Sequence, residues 1–237
     1  MQIIDKKQIE RYELEKFISN EELKFRVYNI KNSETPDLIV NIDKKLISIE
    51  HTRLINPKLK QVEAYREKII NLAQKKFNQK YNADLYVLIT FKNIKLNGGK
   101  SSEQKYVDEV FNLVETVYLN NKNFNFSVQS KINKSVSESI SHFSVYNTRE
   151  MNHWQHFGAW KVDFIDKDWL KDIIKKKENN ICKYTEKYTE NWLLLVSNFG
   201  TKASSSRTDF IDFSDIESKF DKIFIHNFIA DKVTIIK

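Results

Sequence analysis

Residues 36–65 read PDLIVNIDKKLISIEHTRLINPKLKQVEAY, and the interpretation of the whole chain depends on them. Two apolar, alternating segments, 38–42 and 45–52, flank Asp43-Lys44, which predicts a hairpin although no glycine is present. In the second strand Leu46, Ser48, Glu50 and Thr52 point one way, and Ile47, Ile49 and His51 the other. Asp37 opens the partner strand. An unpaired carboxylate inside a strand is costly to bury, so Asp37 and Glu50 must be held by something or hold something. Two acids on neighbouring strands suit one hard cation, because magnesium prefers oxygen ligands and keeps several waters. Such a cation polarises a phosphate and activates water. The plainer alternatives are a turn residue after Pro36 for Asp37, and an edge-strand charge facing water for Glu50.

Asn56-Pro57 ends the strand, and a helix is expected over 58–77 with Val62, Tyr65, Ile69, Leu72 and Ala73 on its buried side. Residues 58–80 carry seven basic side chains (Lys58, Lys60, Arg66, Lys68, Lys75, Lys76, Lys80) against Glu63 and Glu67, a net +5. That is either a solvated helix face or a surface for a nucleic-acid backbone. Upstream, 5–18 reads as a helix with Ile9, Tyr12 and Phe17 near one face and Glu13 on the same stripe. Downstream, 84–91 is a strong strand signal, 97–102 a loop, and a helix follows to about residue 119. Strands are expected at 124–129 and 138–146, an irregular aromatic stretch at 147–160, a basic helix at 167–188 and a buried strand at 192–199. A polar loop at 200–209 and two short closing strands complete the chain. Strands alternating with helices, without repeat or linker, predict a single α/β domain spanning 1–237 with a mixed sheet.

Composition agrees with a globular chain: 237 residues, 41% hydrophobic, 30% charged, with four Gly and two Pro. The single Cys182 excludes a disulfide scaffold and a cysteine zinc site, and has no evident activating partner. No apolar run approaches a signal peptide or a membrane span, so a soluble, cytoplasmic protein with no membrane partner is expected. The formal charge of +7 fits nucleic-acid contact without requiring it.

Pro36-Asp37, twelve intervening residues, then Glu50-His51-Thr52 resemble the PD-(D/E)XK nuclease superfamily. The helix before, the helix after and the following strand match that family's layout. The resemblance implies a restriction-endonuclease-like core over 5–130, extended by further strands and helices in 131–237 that complete the sheet. It implies Mg2+ or Mn2+ held by Asp37 and Glu50 with the His51 carbonyl nearby, and a helix-borne acid, Glu13 first and Glu10 second. Gln61 and Tyr65 are similar to the Q-x-x-x-Y signature of the RecB-like branch and share one helix face. The departure is Thr52, where the family places a lysine that stabilises developing charge. Lys60 or Lys68 could supply it from another element. The implied activity is phosphodiester hydrolysis in DNA, in restriction, repair or phage defence, with a homodimer expected for a double-strand cut. Lys58, Lys60, Arg66 and Lys68 would hold the backbone. Thr52 also leaves an alternative, a catalytically inactive nucleic-acid-binding or assembly module on the same fold.

His153 and His156, in HWQH, have a spacing that suits a metal on a helical turn, but no third ligand is near. A partly buried cluster with Trp154 and Trp160 is expected instead, or a platform on which bases stack. NGGK at 97–100 lacks the upstream glycine of a phosphate-binding loop.

Overall fold

The computed structural model describes residues 5–92, 100–131, 137–148, 151–158 and 160–237. In chain order the elements are α1 (Lys6–Ile18), β1 (Val27–Asn32), β2 (Leu38–Ile42), β3 (Lys45–Arg53), α2 (Pro57–Lys80), β4 (Tyr86–Phe91) and α3 (Lys100–Asn121). Then come β5 (Ser127–Lys131), β6 (Ile140–Tyr146), β7 (His153–His156), α4 (Lys167–Ile181), β8 (Glu190–Ser197), β9 (Lys222–Asn227) and β10 (Lys232–Ile235). The architecture is α/β, with mixed sheets flanked by helices. Among the described residues no helix is long and apolar enough to cross a membrane.

The chain forms two compact units, Met1–Asn56 with Lys161–Lys237, and Pro57–Trp160. The first holds a six-stranded sheet in the order β1-β2-β3-β8-β9-β10. The β2–β3 turn is made by Asp43 and Lys44, both at positive φ (49° and 66°), the twist that a two-residue hairpin turn requires even without glycine. β3 then pairs in parallel with β8, and β8 in parallel with β9. Parallel strands are covered on both faces and read as continuous apolar runs. β8 accordingly sends Trp192, Leu194 and Val196 into a core with Leu14 and Phe17 of α1. Its alternate residues, Leu193 and Leu195, enter a second core with Leu170 and Ile174 of α4. α1 and α4 thus lie on opposite faces of one sheet. α4 starts where the Asp166 carboxylate accepts from the backbone N–H groups of Asp168 and Trp169, at 2.9 and 3.2 Å.

The second unit has a four-stranded sheet, β5-β6-β4-β7, whose inner face packs on α2 and α3. Lys68, Lys76 and Lys80 of α2 pair with Glu103, Asp108 and Glu115 of α3 at 2.6, 2.7 and 2.7 Å. The buried residues of α2 are Ile69, Ile70, Ala73 and Phe77, whereas Leu72, expected inside, is exposed.

This partition differs from a single domain with a 5–130 core and a 131–237 extension. The sheet carrying Asp37 and Glu50 is completed by strands that follow residue 160, and the strand at 86–91 belongs to the other unit. A strand, a helix and a strand in succession look alike in sequence whether they share a sheet or start a new one. The 147–160 stretch is not wholly irregular either, since His153–His156 forms β7, parallel to β4. α4 stops at Ile181, short of the expected 188. The expected loop at 97–102 falls, for residues 97–99, outside the described residues.

Candidate active site

Asp37 and Glu50 lie on neighbouring strands, on the α4 side of the sheet, and both are buried. The ammonium of Lys177, from α4, donates to Asp37 Oδ2 at 3.1 Å and to Glu50 Oε2 at 3.0 Å. The His51 backbone N–H donates to the same Asp37 oxygen at 2.9 Å. Asn180 Nδ2 donates to Glu50 Oε2 at 3.0 Å, and the Tyr184 hydroxyl to Glu50 Oε1 at 3.2 Å. Beside Glu50 on its face, the Ser48 hydroxyl bonds Asn191 Oδ1 at 2.7 Å. Glu50 is 1% exposed, so these donors replace the water that a carboxylate gives up on burial.

The electrostatics follow from these contacts. Burial pushes the Asp37 carboxyl up, but the His51 N–H together with Lys177 and Lys7 outweighs it and holds the group below the usual carboxylate range. Its ion pairs therefore contribute fully above the ordinary Asp pKa of about 3.9 and are lost only as pH falls through the lower folded value. Burial first, then the Glu50 charge, raises the Tyr184 phenol, which stays a neutral donor. Lys7 of α1 approaches Asp37 Oδ1 at 3.9 Å and Glu10 Oε2 at 3.3 Å, so Glu10 joins the cluster through Lys7.

Glu13, expected to be the helix-borne acid of this cluster, lies on the other face. It binds His51 Nε2 at 2.7 Å and Arg53 Nε at 2.7 Å. The strand period puts the His51 and Arg53 side chains opposite Glu50. Burial raises the Glu13 pKa, but His51 and Arg53 prevail and leave it lowered. The His51 imidazole thus faces away from the Asp37–Glu50 pair, which His51 touches by its backbone alone. Thr52 sits on the Glu50 face, half-buried.

The residues expected from α2 are placed in the other unit. Gln61 is exposed, and Tyr65 packs on that unit's core with its hydroxyl buried and without a hydrogen bond. Arg66 is tucked in, donating to the Lys92 carbonyl at 3.2 Å, and Lys68 is paired with Glu103. Lys58 and Lys60 are exposed. The cluster at Asp37 and Glu50 is built from the first unit alone. His153 and His156 point to opposite faces of β7, as strand alternation dictates, so they do not form a metal pair.

Sequence reasoning missed Lys177, Asn180 and Tyr184. Lys177 and Asn180, at i and i+3, continue toward the C-terminal end of α4 the side on which Leu170 and Ile174 are buried, and Tyr184 follows just beyond the helix end. Asn180 and Tyr184 also repeat the amide-then-tyrosine spacing that Gln61 and Tyr65 offered.

Among the described residues no group of three or more His, Cys, Asp and Glu converges as a metal cage. What converges is a carboxylate pair, whose near oxygens share a single positive charge. Magnesium is commonly bound by one or two carboxylates plus waters and substrate phosphate, so the pair fits that ion. Scans of protein-family models, of curated proteins and of solved structures each found no match.

Proposed function

We propose that the first unit is a metal-dependent nuclease of the PD-(D/E)XK type that hydrolyses phosphodiester bonds in DNA. The observation that carries this reading is the Lys177 ammonium at 3.1 and 3.0 Å from Asp37 and Glu50. Two buried acids and a lysine meet in one cluster, the lysine coming from α4 while position 52 holds threonine. The order of elements supports it: α1, the β2–β3 hairpin bearing both acids, then α4 and β8 parallel to β3. On this reading 57–160 is an insertion between the hairpin and the helix that follows it.

Asp37 and Glu50, with the His51 backbone carbonyl that the resemblance implies, would hold Mg2+ or Mn2+. When bound, the ion would supply phosphate polarisation and a more acidic water. Asn180 and Tyr184 orient Glu50 through its two oxygens, and the His51 N–H orients Asp37. Lys177 offers its ammonium to the phosphate oxygens as their charge grows, the part usually played by the motif lysine. Hydrolysis joins the water oxygen to phosphorus, breaks a backbone P–O bond and delivers a proton to the leaving oxygen.

A second reading, a catalytically inactive nucleic-acid-binding module, is favoured by Thr52 and by the Lys177 ammonium that already pairs with both acids. Cleavage of labelled DNA with Mn2+ separates the two. The nuclease reading expects cleavage that EDTA abolishes and that Glu50→Ala lowers at least a hundredfold, a typical loss when a charge-stabilising group is removed. DNA retention without cleavage, indifferent to Mn2+, would establish the binding module instead.

A further inference from the structure

The second unit's sheet has one face packed on α2 and α3 and one face free of either helix. Val87, Ile89, Val145 and Trp154 enter the core. Strand alternation sends Tyr86, Tyr146 and His153 to the opposite face. There Tyr146, Tyr86 and His153 are direct cross-strand neighbours on β6, β4 and β7. Their ring centroids are 6.1 and 6.2 Å apart, so three rings form one row across three strands. The tyrosines are half-buried and His153 is exposed, and the rings are tilted by 49° and 35° to one another, so the row leaves ring surface open to a ligand. Glutamines fix the row: Gln155 Nε2 donates to the Tyr86 hydroxyl at 2.8 Å, and Gln129 Nε2 to the Tyr146 hydroxyl.

Charge favours a polyanion. None of the four strands of this sheet contains an Asp or Glu. Fifteen Lys and Arg against nine Asp and Glu give residues 57–160 a formal +6, almost all of the chain's +7.

We propose that this face, with Tyr86, Tyr146 and His153 as its stacking row, binds single-stranded nucleic acid through its unpaired bases. Every base has a π-face to offer a flat ring, so the binding is tolerant of sequence. In a duplex those faces are stacked on one another and are not available. Basic side chains of the same unit add a salt-dependent backbone attraction. Where it deepens the nuclease reading, on which that extension rests, it names the substrate as an unpaired strand.

The test is fluorescence anisotropy of the full chain with a labelled oligothymidine strand and with a duplex of equal length, in EDTA so that no cleavage is read. The single strand is expected to bind more tightly than the duplex. Tyr86→Ala, Tyr146→Ala and His153→Ala are each expected to weaken it roughly tenfold, the scale of one lost base–aromatic stack. Tyr86→Phe and Tyr146→Phe, which keep the ring, are expected to stay within about twofold of wild type on the same ground. Alanine variants that bind like wild type, phenylalanine variants that lose as much as alanine ones, or a preference for duplex would each overturn the proposal. Because binding is measured without metal, a failed stacking row and a failed nuclease site give different results.

Discussion

β3 of the first unit is buried without interruption from Ile47 to His51, whereas β4 of the second alternates buried and half-buried residues from Tyr86 to Phe91. The difference follows from what covers each sheet. β3 lies between α1 and α4 and pairs in parallel with β8, so a charge placed between Ile47 and His51 is cut off from water on both sides. Glu50 therefore has to find Lys177, Asn180 and Tyr184, and the His51 side chain has to find Glu13. β4 keeps one face clear of helices, and its polar and aromatic side chains on that face need no ion pair. Charges inside a sheet with helices on both faces have to pair with one another, whereas a face without helices makes no such demand on its side chains.

Substitutions of similar size on the two sheets sharpen this contrast. Leu194→Ala, in the core under α1, is expected to lower unfolding stability by about 4 kcal/mol, because the cavity cannot refill. Urea unfolding followed by tryptophan emission reads this. Lys177→Met leaves two buried carboxylates without their shared cation and is expected to cost about 2–3 kcal/mol, allowing for partial exposure. A smaller loss would mean that water already reaches the pair.

The next effect is one of pH. His156 stacks on Phe91 with ring centroids 6.0 Å apart, and burial, then Arg66, pushes its pKa down from 6.5 to about 4. The unfolded chain takes up the proton first, so the stability contributed by the neutral ring is complete above pH 6.5 and declines as pH falls toward 4. The decline is on the order of 2 kcal/mol or less. His156→Phe is expected to flatten that part of the pH–stability curve, and an unchanged slope would place its origin elsewhere. The smallest effect belongs to the face turned away from α2 and α3, where Leu88→Ala is expected to cost less than about 1 kcal/mol. A loss as large as that of Leu194→Ala would show that this face is covered after all.

Local patterns were legible in the sequence and long-range partnership was not. The hairpin of β2 and β3 and its turn at Asp43-Lys44 follow from two alternating segments around a two-residue break. The partner strand of β3 does not, because β8 begins 137 residues after Arg53 ends the strand and any apolar strand could have filled that place. The same gap hid Lys177, which belongs to a helix whose lysine run reads as a solvated face. Glu13 shows a subtler limit. Its place on the apolar stripe of α1 correctly marked it as an unusual acid, but only the side of the sheet on which α1 packs decides that it meets His51 and Arg53. Gln61 and Tyr65 follow β3 in the sequence, yet α2 packs in the other unit, and the same spacing recurs at Asn180 and Tyr184, which reach Glu50.

On the proposed reading Asp37 and Glu50 form one cation site, which the Lys177 ammonium occupies until a divalent ion displaces it. Calorimetric titration of Mn2+ into wild type, Asp37→Ala/Glu50→Ala and Lys177→Met tests it most directly. One site is expected in wild type, none in the double variant and tighter binding in Lys177→Met, where no ammonium competes. Binding that survives in the double variant, or that is absent from both wild type and Lys177→Met, would contradict it.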